Sequence, residues 1–184
     1  DFAAREARID ALETRAARSP AESAYRFAAL REAASGGAPF EPQRAALARL
    51  RPQDADLAAM ADSAMTGVPT LEELRESFPA AEIRSAAAEA PAEGGRFAWL
   101  RRMFGQVVTV RREDEDAGAQ QQAVSAAEAA LAAGELDEAI EATETLSGPA
   151  AEAAGYWLGR AQARARLNRR IDAIEDALAE EASQ

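Results

Sequence analysis

The chain has no cysteine, no histidine and no lysine. Without cysteine there is no disulfide framework and no thiolate nucleophile. Without histidine the commonest general base and the commonest metal ligand are gone, and with them zinc sites of the usual His/Cys kinds. Without lysine there is neither a P-loop lysine nor a Schiff base. No cofactor is expected, and nothing pairs a nucleophile with a base. Aromatics make up only 5% of the chain. Leu, Ile, Val and Phe together fall below the ~20% of an ordinary globular domain. No apolar run approaches the roughly 20 residues of a membrane span, and no signal peptide is visible. The chain opens on Asp1 rather than methionine, as expected of a fragment of a longer protein.

About a quarter of the 184 residues are alanine, and every one of the 21 basic residues is arginine. Ala, Glu, Leu and Arg dominate, the bias of long helices and coiled coils. Alanine favours helix but buries little area. These facts predict an all-α protein with a thin core that leans on a partner chain, as a homo-oligomer, dimer or higher. The net charge of −11 disfavours nucleic acid as a partner.

Residues 1–18 place Phe2, Ile9, Leu12 and Ala16 at heptad-like spacing, as at the end of a coiled coil. Residues 19–93 read as short helices punctuated by proline. Ser19-Pro20 opens one that carries Tyr25, Phe27 and Leu30 and ends at Gly36-Gly37. Pro42 and Pro52 each mark a helix start. Thr70 caps a helix with Leu71, Leu74 and Phe78 on one face, and Pro79 kinks or ends it. Residues 94–112 form the segment discussed next. In 113–184, "EDEDAGAQQQ" reads as an exposed turn into a helix, Gly134 separates two helices, and a final long helix carries Trp157, Leu167, Ile171, Ile174 and Leu178. Arg160 and Arg164 interrupt that stripe, and Asn168 is a place where the helix either breaks or continues. This part reads as a small helical bundle.

Five arginines and no acid lie between Arg96 and Arg112, among Phe97, Trp99 and Phe104. Drawn as a helix from 96 to 108, Phe97, Trp99, Leu100, Met103, Phe104 and Val107 spread over one half of the circumference. Arg101 and Arg102 fall on the other half, and Arg96 stands at the start, where it reaches outward. Apolar aromatics opposite arginine are the pattern of a helix lying in a membrane interface. Each arginine near an anionic bilayer contributes about 1 kcal/mol. The same pattern also describes a helix docked on its own core with arginines in water. The valines and threonine of "VVTV" prefer extended structure. Glu72, Glu73 and Glu76 lie close on one helix, as on a solvated face, and no enzyme activity is expected.

The order "ASGGAPFEPQRAAL", "MTGVPTLEELRESFPAA", "GRFAWLRRMFGQVVTVRR" and then "AVSAAEAALAAGELDEAIEATETLSGPAAEAAGYWLGRAQARARL" resembles the C-terminal region of the mitofilin family in its alphaproteobacterial form, from about Tyr25 onward. The resemblance implies an inner-membrane scaffold on the periplasmic side that shapes cristae or intracytoplasmic membranes. It implies anionic membrane lipids as partners and contact with outer-membrane barrel-assembly machinery. By position, Phe97, Trp99, Leu100, Arg101, Arg102, Met103 and Phe104 match the family's lipid-binding segment, and 113–184 its mitofilin domain. A second likeness is to the tetratricopeptide repeat, whose second helix resembles "AAGELDEAIEA" and whose first resembles "YWLGRAQA". No repeat near that period extends across the chain, and any alanine-packed hairpin has the same look. It supplies the alternative function, a helical interaction module acting through a groove or dimer interface.

Overall fold

The computed structural model describes residues 20–89 and 110–183. Every regular element among them is helical: α1 Pro20–Ser35, α2 Glu41–Leu50, α3 Ala55–Ala59, α4 Ala61–Thr66, α5 Leu71–Glu76, α6 Ala80–Glu89, α7 Val110–Ala133, α8 Leu136–Glu144 and α9 Gly148–Ala182. The protein is all-α, as its composition predicts. The coiled-coil reading of residues 1–18 and the segment 96–108 lie outside the described residues.

The helix boundaries follow local chemistry. Pro20 opens α1 at the first helical position, where its missing N–H costs nothing. Pro52 does not open a helix. It sits in a turn, and α3 begins after Asp54, whose side chain accepts the backbone N–H groups of Asp56 and Leu57 at 3.1 Å each. An aspartate cap outcompetes the proline because it satisfies two orphan donors at once. Gly67 ends α4 with φ +77. A Cβ there would press into the carbonyl oxygen of Gly37, so glycine answers both the backbone angle and the close approach of two loops. Gly134 separates α7 from α8 with φ +87, as read from the sequence.

One further expectation changes, and the alternative left open at Asn168 is decided. Residues 113–122 are not a turn; they lie inside α7. Glu113 to Asp116 follow Arg111 and Arg112 within the first two turns of that helix. The alanines and glutamines that follow are good helix formers, and Gly118 alone costs only about 1 kcal/mol. Asn168 does not break α9, which runs unbroken from Gly148 to Ala182.

The contacts divide the chain into two compact units. The first comprises residues up to Thr70 and from Ala163 onward. Its core joins Phe27 and Leu30 of α1, Leu47 of α2 and Leu57 of α3 with Leu167, Ile171 and Ile174 of α9. Arg31 pairs with Glu175 at 2.9 Å, and Arg51 bonds Glu181 at 2.7 Å and Asp54 at 3.0 Å. Burial works against the charge of Arg51, yet its bonds to Glu181 and Asp54 hold its pKa above the usual value.

The second unit is Leu71–Gln162. Alanine fills much of its interior: Ala127, Ala139, Ala150, Ala154 and Ala161 are all buried. The bulk comes from Trp157, Leu74, Ile83 and Val124. Thr143, also buried, satisfies its hydroxyl by donating to the Ala139 carbonyl at 2.7 Å.

Candidate functional site

The residues singled out for lipid, Arg96, Phe97, Trp99, Leu100, Arg101, Arg102, Met103 and Phe104, lie outside the described residues. The structure does describe the helices on either side of them. α6 and α7 pack antiparallel: Ile83 and Val124 share one core, Arg84 pairs with Glu128, and Ala87 and Ala88 stand with Gln120 and Gln121 around a cavity of about 140 Å³. The chain leaves α6 at Glu89, close to that level, and α7 starts at Val110. Ten residues of α7 therefore precede Gln120, roughly 15 Å of helix at 1.5 Å per residue. In sequence, the basic, aromatic stretch joins these two antiparallel helices.

The cavity beside this junction has one polar peculiarity. Gln120 donates from Nε2 to the Ser147 hydroxyl at 3.2 Å, while its buried Oε1 has no hydrogen-bond partner among the described residues. A buried acceptor left unpaired costs about 1–3 kcal/mol, and a cavity of this size has room for a water to satisfy it.

α9 carries features that the apolar stripe did not reveal. Trp157 is buried, and its Nε1–H donates to the Leu74 carbonyl at 2.8 Å. Its ring meets Phe78 edge-on, with centroids 4.8 Å apart and planes at 73°. Arg160 donates to the Ser77 hydroxyl at 3.3 Å, so two side chains one turn apart close the C-terminal end of α5. Arg164 donates to the Ala34 carbonyl in the last turn of α1 at 2.9 Å. Burial pushes its guanidinium pKa down, and the negative end of the α1 dipole favours the charge. The two arginines that interrupt the stripe are therefore helix-end partners. The signal was present in their spacing, one turn apart beside Trp157.

Further along α9, Arg166, Arg169 and Arg170 line a shallow cleft of about 200 Å³ together with Asp56 of α3. Arg170 bonds Asp56 at 3.2 Å. Among the described residues no hydrogen bond or ion pair holds Arg166. The signal for this cluster was the run "RLNRR", in which positions 166, 169 and 170 fall on one helical face.

Glu72 and Glu76 on α5 are exposed, with Arg75 3.8 Å from Glu72. Among the described residues no group of acidic side chains is arranged to hold a metal, and no helix is long and apolar enough to cross a membrane. No protein-family model, curated protein or solved structure matches the chain. The likeness to mitofilin rests on the order of the motifs in the sequence.

Proposed function

We propose that this chain is a membrane-binding and membrane-shaping scaffold that acts from the periplasmic side of an inner membrane. It would form or stabilise cristae-like invaginations and contact sites. The observation that carries the reading is the gathering of five arginines, three aromatics and no acid between Arg96 and Arg112 in a chain of net charge −11. Phe97, Trp99, Met103 and Phe104 insert into one leaflet and expand it, and Arg101 and Arg102 hold lipid phosphates. α7 begins at Val110, so Arg111, Arg112 and the acidic run that follows them all belong to its first two turns. An anionic bilayer repels that run, which favours orienting the helix away from the surface. Homo-oligomerisation multiplies weak single-site binding, and contact with outer-membrane barrel-assembly machinery belongs to the same reading.

Co-sedimentation with anionic liposomes tests it. The combined substitution Trp99→Ala, Arg101→Ala and Arg102→Ala is expected to abolish binding; unchanged binding would sink the proposal.

A second reading has an observation of its own. α7 and α8 form an antiparallel hairpin about Gly134, and Tyr156 is 80% exposed with Arg160 stacked on its ring at 5.7 Å. Tyrosine and arginine are enriched where protein partners dock. If light scattering shows that Trp99→Ala dissociates an oligomer while liposome binding persists, the interaction module is the better description.

A further inference from the structure

The cleft of Asp56, Arg166, Arg169 and Arg170 has no role in the reading above, and it gathers three arginines around one aspartate in this acidic chain. We infer that it binds a phosphate group. Three guanidiniums on one face of a rigid helix present several N–H donors in fixed forks, the geometry that suits a tetrahedral oxyanion. Arg170 is held in place by Asp56 at 3.2 Å, which neutralises its own charge. Arg166 is exposed and has no hydrogen-bond or ion-pair partner among the described residues. The charge of Arg166 is left for a further anion to neutralise.

The chain's net negative charge does not prevent this. Exposed charges farther away than about 8 Å are screened at physiological ionic strength, so the local cluster sets the potential that a small anion meets. Asp56 limits affinity, because its carboxylate faces the same cleft. Removing that carboxylate is therefore expected to strengthen the site, whereas a merely structural cluster would lose order. The cleft uses none of residues 96–104 and stands or falls separately from the membrane reading.

The same chemistry arrives as free phosphate or as a phosphomonoester lipid headgroup, and two arms separate the sources. In the first, the full chain is titrated with inorganic phosphate by calorimetry. Saturable binding is expected, with Kd raised about tenfold in the double variant Arg166→Gln, Arg169→Gln, a loss of about 1.4 kcal/mol, and lowered in Asp56→Asn. In the second, a chain already carrying Trp99→Ala, Arg101→Ala and Arg102→Ala is floated with phosphatidylcholine vesicles with or without phosphatidic acid. Retention only with phosphatidic acid, lost on adding Arg166→Gln and Arg169→Gln, identifies the headgroup as the source. Phosphate binding without vesicle retention identifies a soluble phosphate group. Absence of saturable binding in both arms overturns the site, as does an affinity unchanged in the double variant. Both arginines are exposed, so that variant is expected to fold, and an unaltered thermal melt checks that it does.

Discussion

At the residue scale the most consequential side chain is Trp157. Its ring is the largest side chain buried in a unit rich in alanine, and its Nε1–H satisfies a carbonyl at the end of α5. Phenylalanine there keeps much of the bulk and loses the donor. Trp157→Phe is therefore expected to cost about 1–3 kcal/mol in urea unfolding, the penalty of a buried carbonyl left unpaired. A cost indistinguishable from zero would show that water replaces the indole. The position of Trp157 on an apolar stripe was legible in the sequence. Its partner was not, because Leu74 lies 83 residues away and a helical period names a face without naming what faces it. Arg160 and Arg164 teach the same lesson. As letters they are flaws in a stripe; in the fold they serve the ends of α5 and α1.

At the scale of elements, glycines separate conformation from composition. Gly67 has a positive φ and no room for a Cβ, whereas Gly155 and Gly159 sit inside α9 with nothing within 4 Å of an added Cβ. Gly159→Ala is expected to stabilise by up to about 1 kcal/mol through helix propensity alone. Gly67→Ala is expected to destabilise by more than that, because strain and overlap act together. Thermal melts of the two variants should move in opposite directions; a shift of the same sign would contradict the account. The reading of residues 113–122 as a turn failed at this scale. Acidic and polar letters are common to exposed turns and to the first turns of a helix, and by themselves do not distinguish the two. Pro52 failed for a related reason: proline tolerates a helix start, but Asp54 actively caps one.

At the scale of the molecule, α9 matters most. Trp157 belongs to the second unit, while Leu167, Ile171 and Ile174 complete the core of the first, more than a hundred residues from the helices they pack against. Ile174→Ala is expected to cost about 2–5 kcal/mol. Hydrogen exchange should then accelerate in α1 and α2, far away in sequence. Faster exchange confined to α9 would show that the first unit does not depend on it. Segment limits read from prolines, glycines and charge are local marks, and contact between distant residues follows no such mark.

Helical class, the break at Gly134, the end of α1 before Gly36 and the large share of alanine in the interior were determined by the sequence alone. They depend on propensity, backbone freedom and side-chain volume, which are properties of a residue and its near neighbours. Only the tertiary structure decided which arginines serve helix ends and which line a cleft, which carbonyl receives Trp157, and that one helix supplies both cores. Those are matters of what lies across a gap in space, and the physical reason is that a helix face is periodic while its partner is not.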